Sequence, residues 1–314
     1  YFDAFKHPLK NNKAHSAVLY QFCFDFFFMN PPDRSSTQRL SGSHQRDIAP
    51  LVDPGELRSW LLYEDDSIIV FNKPGWLVCH PSKKGPWSSL VGAVRESCQL
   101  DQVYLVGRLD RETSGLILLG KNKAAGRFWQ KSLEQRKVRR SYWAILTGEL
   151  SEETTVAGYL GKDPDSPVFV KQRVVGSTNK SKRAETSFFP LFSKNGFTLC
   201  SVVTKTGRKH QIRVHAQSMG FPLVGEKLYG LDEEYYLEFC RNGWQEKWLS
   251  VLGMKRQALH ARTFGFVDEG PDFVAPLPRD FLAFLTDRLG LDSNCEDELE
   301  EKARIWTEAQ FRGE

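Results

Sequence analysis

Three segments of this chain set charged side chains beside glycine turns, an arrangement that can hold a reacting group at the end of a strand. The first runs from Leu105 to Lys121, LVGRLDRETSGLILLGK. In an extended segment Arg108 and Asp110 project to the same side, which would set a cation beside a carboxylate. The plain alternative is an aspartate that accepts from the amides of the Thr-Ser-Gly turn. The second runs from Thr204 to Gly230, TKTGRKHQIRVHAQSMGFPLVGEKLYG. Read as a strand, it places Gln211, Arg213 and His215 on one face and His210, Ile212 and Val214 on the other; a surface strand with a solvated arginine fits the same pattern. The third is Arg140 to Gly148, RSYWAILTG, in which Tyr142 opens a strand directly after a basic block. An ordinary tyrosine at the core edge is equally compatible with it.

Other chemistries find less support. Gly115 to Asn122, GLILLGKN, imitates a phosphate loop but has Asn122 in place of the metal-binding hydroxyl, and its four apolar residues suit a buried strand rather than an amide cradle. His210 and His215 lie at an odd offset on the expected strand and face apart, so no zinc or other metal site is expected. Cys79 and His80 face apart in the same way. The six cysteines are widely spaced without a CxxC, which argues against a disulfide framework and for a reduced, cytoplasmic setting.

The elements that must position these residues are read from about Trp60 onward. Short apolar runs, SIIVFNKPG, GLILLGKN, YWAILTGEL, PVFVKQRVV, SFFPLF, FTLCSVVT and HQIRVHAQ, read as strands. Helices are expected over Ser88 to Cys98, Lys123 to Lys137, Leu231 to Glu238, Asp280 to Leu289 and Glu296 to Phe311. Strand runs follow one another from Tyr142 through His215 without an intervening helix, which predicts an α+β fold with a mainly antiparallel sheet. Residues 1–58 lack periodicity and carry the turn-rich stretch NPPDRSSTQRLSGSHQRD, so a largely irregular extension is expected. The chain opens with Tyr1, and Met29 stands just before that stretch; residues 1–28 are therefore expected to lie outside the native product. Residues 59–286 form the expected catalytic domain and 287–314 an acidic helical tail.

The longest apolar run, Ala17 to Phe28, has 12 residues and contains Gln21 and Asp25, too short and too polar to span a membrane. No cleavage site follows it, so it is not expected to be a secretory leader. Net charge is +4, but residues 286–314 hold nine acids and four bases, leaving +9 on the rest. The densest basic block, Lys121 to Trp143, has eight Lys or Arg interleaved with Phe128, Trp129, Tyr142 and Trp143. Bases with aromatics suit a polyanion that stacks, although a solvated helix face followed by a strand produces the same pattern.

Taken in order, EDDSIIVFNKPGWLVCHP, GRLDRETSGLILLGK, RRSYWAILTG, SKRAETSFFPL, TKTGRKHQIRVHAQSMGFPLVGEKLYG, RQALHA and APLPRDF resemble the motifs of the RluA family of RNA pseudouridine synthases, from about Leu61 to Phe284. The resemblance implies an α+β catalytic fold around a bent, mainly antiparallel sheet with flanking helices and a central cleft. It also implies isomerisation of uridine to pseudouridine in ribosomal or transfer RNA, without metal or organic cofactor, by a monomer. On the matching positions, Asp110 is the implied catalytic carboxylate, Arg213 its partner, and Tyr142 the residue that stacks on the base and serves proton transfer at C5. Arg108 matches the residue that fills the space left by the flipped nucleotide. The substrate-binding set is Arg108, Lys121, Arg140, Arg208, His210 and Gln211, with Lys205 and Lys209 as further phosphate contacts. Two departures stand out: Gly107 replaces the usual His before RLD, and Trp76 stands where Gly is common. Two rival readings share parts of this pattern. One is a catalytically inactive RNA-binding protein of the same fold, and the other a glycoside hydrolase using Asp110 and Glu112 as its carboxylate pair.

Overall fold

The structure, a computed structural model, describes residues 51–80, 85–268, 270–292 and 295–311. The expected extension up to residue 50, including residues 1–28, lies outside the described residues. Asp53 caps the first helix, α1 (Pro54–Ser59): its carboxylate accepts from the Gly55 and Glu56 amides, and Pro54 sits where no amide donor is needed. Val52 and Leu57 are buried, so packing already begins in the last residues of the segment without periodicity.

Among the described residues, eleven strands form one sheet. They are β1 (Leu61–Glu64), β2 (Ile68–Lys73), β3 (Tyr104–Val106), β4 (Ser114–Gly120), β5 (Val138–Thr147), β6 (Thr154–Lys162), β7 (Gln172–Val175), β8 (Lys182–Lys194), β9 (Phe197–Thr204), β10 (Leu259–Phe266) and β11 (Asp272–Val274). The spatial order is β1-β2-β4-β10-β5-β9-β8-β6-β7, with β3 added to β4 and β11 to β10. Pairings are antiparallel apart from β4 with β10. The helices α2 (Leu90–Ser97), α3 (Lys123–Glu134), α4 (Gln211–Ser218), α5 (Glu234–Asn242), α6 (Leu249–Leu252), α7 (Arg279–Phe284) and α8 (Glu296–Ala309) complete the α+β fold. Among the described residues no helix is long and apolar enough to cross a membrane.

Period-two alternation along β5 builds two cores. Trp143 and Ile145 join one cluster with Leu199, Phe281 and the α8 residues Leu299 and Ala303. Ala144 and Leu146 join the other with Phe188, Cys200, Val202 and the α4 residues Ile212 and Ala216. A strand covered on both faces reads as a continuous apolar run, which is why AIL alternates with nothing polar. Tyr142 shares the parity of Ala144 and Leu146 and so belongs to the α4 face. On the other face α8 stacks Trp306 on Phe189 with ring centroids 5.2 Å apart, and Arg262 on β10 pairs with Glu300 of α8 at 2.7 Å.

Two glycines release the loop that matters. β4 pairs with β10 at Ser114 and Gly115 and with β3 at Leu118 to Gly120, so the connection 107–113 swings out between the two partners. At Gly115, φ is +107° and an added Cβ would meet the Ala261 carbonyl oxygen at 2.2 Å, so only glycine permits the parallel contact. At Gly107, φ is +77°, a left-handed conformation that glycine adopts without strain.

The expected strand HQIRVHAQ is instead the helix α4. The strand reading failed because all of Gln211 to Ala216 is buried, which removes the polar stripe that would reveal a 3.6-residue period. Two smaller differences concern element bounds. Pro167 to Val170, read as strand, is loop, with only Gln172–Val175 in the sheet. The helix expected over Asp280 to Leu289 is α7 followed by a π-turn at Leu285–Leu289 that ends on Gly290.

Candidate active site

Asp110 sits on the loop 107–113 at the floor of a cleft of about 1250 Å³. Pockets for drug-sized ligands measure roughly 300–1,000 Å³, so the cleft has room for more than one nucleoside. Below the loop lies Lys73, fully buried, whose ammonium donates to the carbonyls of Pro74, Leu77 and Arg111 at 2.8, 2.9 and 3.1 Å. Burial pulls its pKa down to about 8, so at neutral pH it keeps the three N–H donors that those carbonyls use. The end of β2 is thereby tied to the residue next to Asp110.

Across the cleft floor, α4 supplies the partner cation. Arg213 Nη1 donates to Asp110 Oδ2 at 2.9 Å. Its other two donors fork onto Glu226, Nε to Oε2 and Nη2 to Oε1, both at 2.7 Å. Glu226 is held in turn by the amides of Leu228 and Tyr229 at Oε1. Side-chain exposure falls from 30% at Asp110 through 9% at Arg213 to 1% at Glu226. The chain of charges therefore runs from solvent to core, with the aspartate at its open end.

Helical geometry decides who meets Asp110. Arg213 on α4 holds Asp110 Oδ2, and His210, the residue before the helix, brings Nε2 to 3.9 Å from Oδ1. The strand reading put these two side chains on opposite faces, and the structure corrects it. Gln211 and His215, four apart, share the adjacent face and both meet Thr186 Oγ1 at 2.9 Å. Gln211 spends its amide oxygen on the Arg208 amide and the Thr206 hydroxyl, so it shapes the 204–210 turn.

Burial alone would raise the Asp110 carboxyl, but the neighbouring His210 and Arg213 outweigh it and hold the pKa at about 2. Burial also drives His210 down to about 4. At neutral pH the imidazole is thus uncharged and Arg213 supplies the fixed charge. Arg213 itself is kept protonated against its burial by Glu226 and Asp110, and Glu226 is kept ionised against burial by Arg213.

Of the residues singled out from sequence, Arg108, Asp110, Arg140, Tyr142, Arg208, His210, Gln211 and Arg213 all line the cleft, as do Lys205 and Lys209. Lys121 does not line it. At the far end of β4 its ammonium donates to Glu64 Oε1 and the Asp65 carbonyl at 2.9 Å each. Glu112, the second acid of a glycosidase-like pair, is engaged by buried Lys227 at 2.9 Å and by the Gln257 amide, so it is not a free partner for Asp110. Sequence reasoning missed Glu226 and Tyr229. Both lie in GEKLYG, inside a segment singled out for other reasons, but nothing in residue type separates a carboxylate with 1% exposure from one in water.

Comparison with known proteins agrees with this geometry. The family model described as RNA pseudouridylate synthase matches residues 67–218. The ribosomal large subunit pseudouridine synthase D of Neisseria meningitidis is 34% identical over 252 residues, covering 76% of this chain and 64% of that protein. The chain therefore matches less than two thirds of the length of that relative. The RNA pseudouridine synthase YjbO of Bacillus subtilis is 32% identical over 229 residues, covering 70% of this chain and 73% of that one. In fold the chain is similar to human RNA pseudouridylate synthase domain containing 4, with a TM-score of 0.58 and 24% identity over 76% of this chain and 96% of the other. With the ordered motifs, the sheet and these matches in agreement, the chain belongs to the RNA pseudouridine synthase family.

Proposed function

We propose that this protein isomerises uridine to pseudouridine in RNA, with Asp110 as the catalytic carboxylate. The observation that carries the reading is the Asp110 carboxylate, ionised and anchored through one oxygen to Arg213, at the floor of a cleft that Tyr142 and a rim of cations also line. The reaction breaks the C1′–N1 bond, forms C1′–C5 and moves one proton from C5 to N1, so its atoms and electrons balance without an oxidant. An ionised carboxylate can act at the ribose as nucleophile or base, and a tyrosine on the cleft wall can stack on the detached base and take part in the proton movement.

A uridine within a helix reaches Asp110 only after leaving its stack, at about a few kcal/mol. Arg108, exposed on the Asp110 loop, is the side chain suited to the vacated space. Arg140, Lys205, Arg208 and Lys209 on the rim would meet phosphates, so affinity should fall steeply with salt. Ribosomal RNA is the first substrate to test, since one matching relative is named for the large ribosomal subunit, and transfer RNA the second. Purified protein should be incubated with unmodified ribosomal and transfer RNA and the pseudouridines mapped. New pseudouridine at discrete positions is the expected result. Tight RNA binding with no isomerisation at any position would replace the enzyme with a binding protein of the same fold.

A further inference from the structure

His210 has a backbone and a hydrogen-bond partner that its neighbours in α4 do not share. It is the residue before the first turn of the helix, held at φ 55° and ψ 21°, a left-handed conformation uncommon for a residue with a side chain. Such strain persists where the surroundings impose it and gathers at functional sites. Its ring packs edge-on against Tyr229 with centroids 5.6 Å apart, and Nδ1 lies 2.7 Å from the Tyr229 hydroxyl. That hydroxyl already accepts from the Gln172 backbone amide at 2.9 Å, so its own proton is free to go to Nδ1. Burial pushes the Tyr229 pKa up, which keeps that proton in place. An imidazole accepting at Nδ1 carries its proton on Nε2, the nitrogen that lies 3.9 Å from Asp110 Oδ1.

The two oxygens of Asp110 are therefore not equivalent. Oδ2 accepts from Arg213, whereas among the described residues Oδ1 accepts no hydrogen bond: His210 Nε2 lies 3.9 Å from it, and the Lys209 charge acts on the carboxylate from farther off. We infer that His210 is a positioning residue whose Nε2–H, oriented through Tyr229 and Gln172, keeps Oδ1 turned into the cleft as the oxygen that reacts with the substrate. The inference rests on the reading of Asp110 as the catalytic carboxylate. Arg213 fixes one end of the carboxylate, and the His210 N–H dipole 3.9 Å from Oδ1 favours one rotation of it. A carboxylate free to turn about Cβ–Cγ would spend part of its time presenting no lone pair to the ribose, and a misplacement of about 1 Å can slow a reaction about 100-fold.

Two substitutions separate this role from a structural one. His210→Gln places an amide nitrogen near the position of Nε2 and keeps a donor toward Asp110. His210→Asn places its amide near Nδ1, facing Tyr229, and loses the donor toward Asp110. Asn also tolerates the left-handed backbone better than Gln. If His210 served only the backbone and the helix start, the Asn variant would be the more active of the two. If it positions Asp110, the order is reversed.

The experiment measures single-turnover pseudouridine formation on a saturating RNA that the wild type modifies, with RNA affinity measured separately for wild type, both variants and Asp110→Asn. The expected result is a loss of about 30-fold or more in rate for His210→Asn, with affinity within about twofold of wild type, and a rate for His210→Gln within about threefold. Equal rates for the two variants, or a loss traced wholly to weaker binding, would overturn the positioning role while leaving the enzyme reading intact if Asp110→Asn is inactive. Full activity of Asp110→Asn would overturn both.

Discussion

Arg213 and Arg262 are buried arginines that each meet carboxylates, and of the two only Arg213 does so at the cleft. Arg213 has a side-chain exposure of 9% and Arg262 one of 7%. Arg262 is closed on every side: Nε and Nη2 go to Glu300, Nη1 to the Ala275 carbonyl, and the guanidinium lies 5.2 Å over the Trp143 ring. It clamps α8 to β10, and both its acids belong to the helix it holds. Arg213 is equally satisfied, but its second carboxylate, Asp110, keeps one oxygen open to a large cleft. The two arginines are buried alike, but Glu226 behind Arg213 is 1% exposed whereas Glu300 and Glu296 beside Arg262 are 29% and 38% exposed. What sets the Arg213 pair apart is the Asp110 oxygen left without a hydrogen bond and the cleft in front of it.

The sharpest way to break that contrast is to remove each arginine in turn. Arg213→Met leaves Glu226 buried without its counter-charge and Asp110 without its anchor. The expected outcome is a loss of about 10³-fold in single-turnover rate and a destabilisation of about 3–5 kcal/mol, read by urea unfolding. Arg262→Met should destabilise by about 1–3 kcal/mol, because the Ala275 carbonyl loses one donor while Glu300 can turn to water, and its turnover below the melting range should stay within about twofold. Comparable losses of turnover in both variants would erase the distinction.

Glu226→Gln tests whether the buried end of the chain of charges matters to the open end. The amide keeps the size but not the charge, so Arg213 is held less firmly; a fall in rate of about 100-fold is expected, with RNA affinity unchanged. Activity within about threefold of wild type would confine the reacting unit to Asp110 and Arg213.

The protonation states give a smaller but signed effect. With Asp110 at about 2 and His210 at about 4 and Arg213 raised, none of these three changes charge between about pH 5 and pH 7, while Lys73 beneath the loop loses its proton toward about 8, so the chemical step should be flat from about pH 5 to pH 7. The stability that ionised Asp110 contributes is complete above its unfolded value of 3.8 and is lost as pH falls through about 2. His210 is depressed from 6.5 to about 4, so its burial withdraws stability as pH falls through that window. Urea midpoints of wild type and His210→Gln should therefore converge or cross between these two pH values. A single-turnover rate with an acid limb near pH 6 would contradict the assignment.

Smallest is the effect of single rim charges. Replacing Arg208, which lines the cleft, by Gln should lower the salt slope of RNA binding by about one. Lys121→Gln should leave the slope unchanged, because Lys121 is bonded to Glu64 and Asp65 away from the cleft. Equal slopes for the two variants would put the RNA elsewhere than along this rim.

Much of the fold could be read from the sequence because strands such as β4 and β9 are short apolar runs between turn residues, and because Asn122 caps α3 where its helical pattern begins. α4 could not, since a helix buried all round has no polar face and its β-branched residues read as strand. The pairing of Asp110 with Arg213, 103 residues apart in sequence, has no local signal at all and was reached only through the family resemblance. Glu226 and Tyr229 stayed hidden because what singles them out is burial and partnership, which only the folded chain supplies.

The most direct test replaces Asp110 by Asn, a change that keeps the shape and removes the charge. Single-turnover pseudouridine formation on an RNA that the wild type modifies should fall by at least about 10³-fold, with the variant folded and its RNA affinity within about threefold. Turnover by the Asn variant at the rate of the wild type would show that the open oxygen at the cleft floor is not the one that reacts.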